Sequence, residues 1–350
     1  MAARRITLQD VADACGFSRI TVSKVFNGHG GVPEVTRRTV LETAERLGYR
    51  RMQGNTDMPA SMRLRSHAVA VISLNLPAND HFGASFFSAF ATRLSRAGYS
   101  LLMYEVTQDE FRNNQLPAHF APEQTAGILG IELFHRRYMD MICELGLPVI
   151  FTDTYACPDY ASMSADIITM ENVSASTHLT ERIIAAGAER LGFVGDIEHC
   201  NSFYSRWSGF CKALEQAGLP LNKNLCILEP DPSPYGNPAW ILERLDAMPS
   251  LPDAFICAND FLAVPLMQAL RQKKLKIPDD IMIAGFDGSM QSTIVDPPLT
   301  TVKIPSREMG YYAAGMLLER IETPNLPFRF TSVQTTPIWT QTIRGPKGND

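Results

Sequence analysis

The chain has 350 residues, 45% of them apolar, and a formal net charge of −5. That length exceeds one average domain and suffices for a large buried core, and the composition excludes a disordered or fibrous protein. No apolar run approaches membrane-spanning length and the N-terminus lacks the apolar stretch of a secretory leader, so neither a membrane nor an exported protein is expected. Seven cysteines, at positions 15, 143, 157, 200, 211, 226 and 257, form no Cys-x-x-Cys pair; they are expected to be reduced thiols in the cytoplasm.

The first elements in the chain are two short helices. Leu8, Val11, Ala12 and Cys15 recur at helical spacing, and Gly16 follows where a chain leaving a helix needs positive φ. Ser18 can cap a second helix running from Arg19 to Phe26, with Ile20, Val22 and Val25 as its apolar candidates. Two helices joined by a tight glycine turn are the geometry that lays the second helix into the DNA major groove. Arg19 and Lys24 can donate to guanine edges or phosphates, and Ser18, Thr21, Ser23 and Asn27 are short donors suited to phosphate oxygens. A third helix is expected after Pro33, with Val40, Leu41, Ala44 and Leu47 closing a three-helix core.

Charge points the same way. Residues 1–66 carry 11 basic side chains against six acidic ones, a net +5, which leaves −10 on the rest of the chain. A basic module on an acidic body confines phosphate attraction to one end of the molecule.

Residues 50–67 lack an apolar period, and Gly54 and Pro59 interrupt any long helix. From residue 68 strands and helices alternate: strands at 68–74, 100–106, 127–131 and 148–152 with helices near 82–97 and 135–145, then helices at 172–187, 203–217, 237–247 and 260–273 with strands at 190–194, 225–229, 253–257 and 281–285. Such alternation implies parallel sheets wound by helices, here as two doubly wound subdomains with a cleft between them. The expected organisation is a headpiece over 1–50, a linker over 51–67 and a core over 68–345.

Polar groups emerge just past several apolar strands, where ligands bind in such folds. Asp153 follows Pro148–Thr152, Asn259 and Asp260 follow Ala254–Cys257, and Asp287 follows Ile281–Phe286. Arg206 opens a helix beside Phe203 and Trp207. A guanidinium with carboxylates and an amide can hydrogen-bond vicinal hydroxyls or an anionic group. Asp260 reads instead as a helix cap, and Asp153 is equally compatible with a turn.

The motifs Thr7-Leu8-x-Asp10-Val11-Ala12, Ala14-x-Gly16-x-Ser18, Thr21-Val22-Ser23-x-Val25-x-Asn27 and Thr36-Arg37 through Leu47-Gly48-Tyr49 resemble the headpiece of the lactose/galactose repressor family of bacterial transcription regulators. The resemblance continues through Gly127-Ile128-Leu129, Arg206-x-x-Gly209-Phe210, Ala258-Asn259-Asp260-x-x-Ala263, Ile283-Ala284-Gly285-Phe286-Asp287 and Pro297–Val302. It implies a homodimeric repressor with a core similar to periplasmic sugar-binding proteins. It further implies base contacts from Arg19, Ile20 and Lys24, DNA-facing Thr7, Leu8 and Thr36, and an effector site using Asp153, Arg206, Asn259 and Asp287 with Phe82 as a wall. The implied effector is a sugar or sugar derivative, and no cofactor or metal is implied. Ile131 and Ile304 stand where relatives often place polar ligand groups, which implies a more apolar pocket on that side.

The linker departs from the family pattern. Arg51-Met52 replaces the usual Pro-Asn. Counting forward from Tyr49 puts the minor-groove wedge at Met58, whereas counting back from the first core strand puts it at Met62; Pro59 would suit the first turn of a hinge helix over 59–65. A plain flexible linker is the other reading. The seven histidines show no metal-ligand spacing and no nucleophile–base set is evident, so an enzyme is not expected. A solute-binding protein would need a leader and no basic headpiece.

Overall fold

The computed structural model describes residues 8–26, 32–47, 67–74 and 81–345, and the chain divides into two units, residues 1–66 and 67–350. Thr7, Asn27, Met58, Met62 and the proposed hinge segment 59–65 lie outside the described residues; Leu8 and Phe82 are described by their backbone alone.

The first unit holds three helices, α1 (Leu8–Cys15), α2 (Arg19–Phe26) and α3 (Glu34–Leu47). Gly16 takes φ +73° in open space, as the tight turn requires. Ser18 caps α2: its Oγ accepts from the Thr21 amide at 3.0 Å and lies 2.8 Å from the Thr21 hydroxyl. Val11, Ala12, Val22, Val25, Val40 and Ala44 form the buried core. Two expected core members are not in it. Ile20 is 70% exposed and Leu41 is 39% exposed, because the faces of α2 and α3 that meet the other helices are narrow and Val22, Val25, Val40 and Ala44 already fill them.

The second unit is an α/β core with two parallel sheets. The first sheet orders its strands β10-β5-β4-β3-β1-β2, all parallel. These are β1 (Ala68–Ser73), β2 (Ser100–Glu105), β3 (Gly127–Ile131), β4 (Val149–Phe151), β5 (Asp166–Met170) and β10 (Phe330–Val333). The second sheet is β6 (Leu191–Val194), β7 (Ala254–Cys257) and β8 (Met282–Ala284). Single bridges extend it, Val194 to Ile227 and Ala284 to Thr300. The strand expected at 225–229 is therefore only one bridge long, although it sits at the expected edge.

The helices are α4 (His81–Arg96), α5 (Gln108–Arg112), α6 (Arg136–Cys143), α7 (Val173–Ala185), α8 (Asn201–Gln216), α9 (Pro238–Asp246), α10 (Asp260–Gln272), α11 (Met290–Ile294) and α12 (Ser306–Glu322); β9 (Thr301–Lys303) and β11 (Thr336–Ile338) pair antiparallel. Helix α12 was not expected. It packs on α4 and against β3, β4 and β5 with one face, Met309, Gly310, Ala313, Ala314, Met316, Leu317 and Arg320, but a glycine and an arginine on that face and exposed Tyr311 and Tyr312 opposite blur the apolar stripe in the sequence. A Cβ at Gly310 would collide with the backbone oxygen of Phe86, so glycine there lets the two helices approach closely.

The chain passes between the subdomains three times. It leaves the first sheet after β5 at Glu171-Asn172, returns between β9 and α12 at 304–305, and leaves again between β10 and β11 at 334–335. The crossings are bonded together: the Glu171 amide donates to Val333 O at 2.8 Å, the Thr335 hydroxyl donates to Glu171 O at 3.3 Å, and β9 pairs with β11.

Candidate DNA interface and effector cleft

Helix α2 divides its residues between two faces. Val22 and Val25 turn into the headpiece core, whereas Arg19, Ile20 and Lys24 face water. An isoleucine left 70% exposed beside two cations is suited to a groove floor, where apolar contact with a thymine methyl and donation to base edges occur side by side. Ser18 is exposed, Thr21, Ser23 and Thr36 are half-buried, and part of the hydrogen-bonding capacity of Ser18 and Thr21 goes into the cap. Arg38 is exposed and pairs only loosely with Glu42, at 3.8 Å.

In the core, glycine and small hydroxyls seat helix α8 on α7. A Cβ at Gly209 would collide with Val173 O and lie 2.9 Å from Ser176 Cβ. Ser176 Oγ donates to Arg206 O at 2.7 Å and Thr177 Oγ1 to Gly209 O at 3.2 Å. This close seating presents the Arg206 side chain at the carboxyl ends of the second sheet. Arg206 is only 3% exposed. Its Nε donates to Asn172 Oδ1 at 2.9 Å, and its Nη1 donates to Ala258 O at 2.6 Å and to Asp287 Oδ1 at 3.3 Å. The guanidinium also stacks 3.7 Å from the centroid of the Phe286 ring. The three hydrogen bonds use Nε and Nη1, and the Asp287 side chain beside the guanidinium is 30% exposed.

Asp287 holds a strained backbone, with φ +111° in a residue that carries a Cβ. Its amide donates to Val302 O at 2.9 Å and its carbonyl accepts from the Ile304 amide at 3.3 Å, which fixes it between β8 and the second crossing. Asn259 is the N-cap of α10, accepting from the Leu262 amide at 3.0 Å. This corrects the expectation for Asp260, which is not the cap: its Oδ1 accepts from Thr301 Oγ1 at 2.6 Å and its Oδ2 from the Ser289 amide at 2.8 Å. Burial pushes the Asp260 carboxyl above the usual carboxylate range, against the pull of these bonds. Gly285 gives it room, since a Cβ there would collide with Asp260 Oδ1.

Asp153 stands past β4 as expected, but it reaches across the cleft. Its Oδ1 accepts from the Thr154 amide at 2.8 Å and its Oδ2 from the Ser202 amide at 3.2 Å. Cys200, the N-cap residue of α8, makes no side-chain cap of its own, so a carboxylate from the first subdomain supplies it. Thr154 O accepts from the Asn201 amide at 2.9 Å, and Tyr160 Oη lies 3.2 Å from Asn201 Nδ2. Burial raises the Asp153 carboxyl above the ordinary value, partly offset by these hydrogen bonds. The cleft thus gathers Arg206, Asp287, Asn259 and Asp153, while Ile131 and Ile304 are buried core side chains. Asn172, the N-cap residue of α7, was missed because strand β5, which ends two residues before it, was not recognised. Phe134 and His199, whose rings meet across the cleft at 5.1 Å, were missed because their loops carry no pattern.

Among the described residues, no group of three or more His, Cys, Asp or Glu is placed to hold a metal ion, and no helix is long and apolar enough to cross a membrane.

Comparison with known proteins gives two family matches. Residues 7–51 match the family of bacterial regulatory proteins of the lacI type, and residues 180–343 match the periplasmic binding protein-like domain. The chain is 27% identical to the ribose operon repressor of Haemophilus influenzae over 339 residues, covering 96% of this chain and 98% of that one. It is 26% identical to the transcriptional regulator CelR of Thermobifida fusca, covering 91% and 92%. Among solved structures, a CelR–cellobiose complex superposes with a TM-score of 0.69 at 23% identity, over 97% of this chain and all of that one. The lac repressor dimer bound to operator and the anti-inducer ONPF gives 0.66 at 20% identity, with the same coverage. These likenesses extend over headpiece and core alike, and residues 7–51 are a headpiece of the lacI family of bacterial regulatory proteins.

Proposed function

We propose that this chain is a homodimeric repressor that binds a near-palindromic operator through α2 and changes its operator affinity when a sugar or sugar derivative occupies the core cleft. The observation that carries the reading is the Arg206–Asp287 pair, a buried cation beside a partly exposed carboxylate, on the same chain as a DNA-type headpiece. That pair suits vicinal hydroxyls, with the carboxylate accepting and the guanidinium donating. A relative named for ribose and a neighbour solved with cellobiose favour the same ligand class. Asn259 and Asp153 complete the polar lining, and Phe82 is assigned to a wall. Leu102 and Met103, exposed on the edge strand β2, favour pairing of two copies through an apolar edge. A regulator acting on operator DNA would do so in the cytoplasm.

In the headpiece, Arg19, Ile20 and Lys24 read bases, while Thr7, Leu8, Ser18, Thr21, Ser23, Asn27 and Thr36 engage the backbone. Of the two candidate wedge methionines in the linker, Met62 is preferred over Met58.

The test is a thermal-shift screen of the full chain against sugars, sugar acids, sugar phosphates and nucleobases. The reading expects a member of the first two classes to raise the melting temperature, and Arg206→Ala to abolish the shift. Stabilisation by nucleobases alone would contradict the sugar assignment.

A further inference from the structure

The guanidinium of Arg206 is tied directly to the parts of the chain that join the subdomains. Asn172 stands at the first crossing and is 5% exposed. Its Oδ1 accepts from Arg206 Nε at 2.9 Å, while its Nδ2 donates to Met170 O at 2.9 Å and lies 3.3 Å from Ser202 Oγ. One amide therefore links the end of β5, the first turn of α8 and the arginine. The residue before it, Glu171, bonds the first crossing to the third through Val333 and Thr335 and caps α7 through the Ser174 and Ala175 amides at 2.7 and 2.8 Å. On its other side Arg206 meets Asp287, whose carbonyl accepts from Ile304 at the second crossing. A continuous path runs from the first crossing through Asn172, Arg206 and Asp287 to the second.

The chemistry at position 172 is specific. A carboxylate there could still accept from Arg206 Nε, but it could not donate to Met170 O. An alanine would leave both the Nε–H and that carbonyl without a partner, in a place where water is excluded. Only an amide of this length serves both sides. The geometry assigns Asn172 as the positioning residue that aims Arg206 at the effector and ties the arginine to the first crossing, so that occupancy of the cleft is felt where the subdomains are joined. This rests on the effector reading of the cleft given above.

The test uses the full chain and two readouts. The first needs no ligand: exchange of the Arg206 Nε–H followed by nitrogen-15 NMR, its resonance identified by its loss in Arg206→Lys. Asn172→Asp keeps slow exchange within about threefold, whereas Asn172→Ala, or Asn172→Ser if the alanine variant does not fold, speeds it at least tenfold. The second is calorimetric titration with D-ribose, cellobiose and D-glucuronate, together with amide exchange over residues 170–173. For any of the three that binds the wild type, Asn172→Ala weakens binding tenfold or more. Asn172→Asp binds within about threefold yet loses the slowing of exchange at 170–173 that binding brings. Unchanged Nε–H exchange in Asn172→Ala overturns the assignment, as does wild-type sugar affinity in a variant whose Nε–H has been freed. If none of the three sugars binds the wild type, that effector class falls while the Nε–H result still decides whether Asn172 holds the arginine.

Discussion

The headpiece and the core place their functional side chains in opposite environments. Arg19, Ile20 and Lys24 stand in water on a helix whose other face makes the core. Arg206 is 3% exposed and enclosed by Asn172, Ala258, Asp287 and Phe286. The headpiece can therefore change what it binds without changing whether it folds. In the core, the groups proposed to recognise the ligand also hold buried hydrogen bonds of the fold.

Substituting Arg206 tests that contrast most severely. Arg206→Ala removes the cation beside Asp287 and leaves Asn172 Oδ1 and Ala258 O without their donor. Each buried acceptor left unsatisfied costs about 1–3 kcal/mol, and the partly exposed Asp287 adds less than a fully buried ion pair would, so urea unfolding of the full chain should show a core transition weakened by the sum. A loss below about 1 kcal/mol would mean that the site is wetter and less coupled to the fold than its geometry implies.

Gly209→Ala probes the same coupling without touching charge. The added methyl meets Val173 O and must push α8 off α7, at a cost of about 1–3 kcal/mol for overpacking. Because α8 carries Arg206, sugar affinity should fall with stability in a titration of the variant. Lost stability with intact affinity would separate the two.

The opposite pattern is expected in the headpiece. Arg19→Ala should cost about 1–3 kcal/mol on operator and relax specificity at one position, with stability changed by less than about 0.5 kcal/mol. Arg38→Ala should instead weaken all duplexes alike and flatten the salt dependence. Gel-shift or anisotropy titrations on operator and random DNA at two salt concentrations distinguish these outcomes. Equal losses on both DNAs for Arg19→Ala would reduce it to a phosphate contact.

The smallest effect expected is on pH dependence. Burial raises the folded-state carboxyls of Asp153 and Asp260 above their ordinary value of 3.8. In the window between that value and the raised ones the folded state binds more protons than the unfolded state. Stability from these groups is therefore full below the window and is lost as pH rises through it. Asp153→Asn should remove its share of this slope, so the stability difference between variant and wild type should shift in the variant's favour as pH rises. Parallel profiles would place Asp153 in water.

Much of this was legible in sequence because the signals were local. Gly16, Ser18 and the Val22/Val25 spacing marked the helix-turn-helix, and Asp287 and Arg206 could be placed from the apolar strands and motif around them. What was not legible depended on partners distant in the chain. Strand β5 was hidden because it is short and opens on Asp166, a buried carboxylate that pairs with Arg320 at 2.9 Å. Helix α12 was hidden because Gly310 and Arg320 lie on its buried face while Tyr311 and Tyr312 are exposed, which blurs its apolar period. Asp153 was placed correctly, yet its role as a cap for α8 depends on a helix beginning 48 residues later. Ile20 read as an apolar residue of α2 and, by resemblance, as a base contact; it stands outside the core because α2 turns only two valines inward.

The central claim, that an exposed headpiece reads DNA under the control of a buried arginine, is tested most directly by one selection followed by one titration. Duplexes bound by the full chain are enriched from a random pool, and affinity for the winner is measured with and without the compound that most raises the melting temperature. The account predicts a near-palindromic winner whose affinity changes at least fivefold with the compound in the wild type, from a coupling of about 1 kcal/mol or more, and not at all in Arg206→Ala. No enriched sequence, or one whose affinity ignores every stabilising compound, would contradict it.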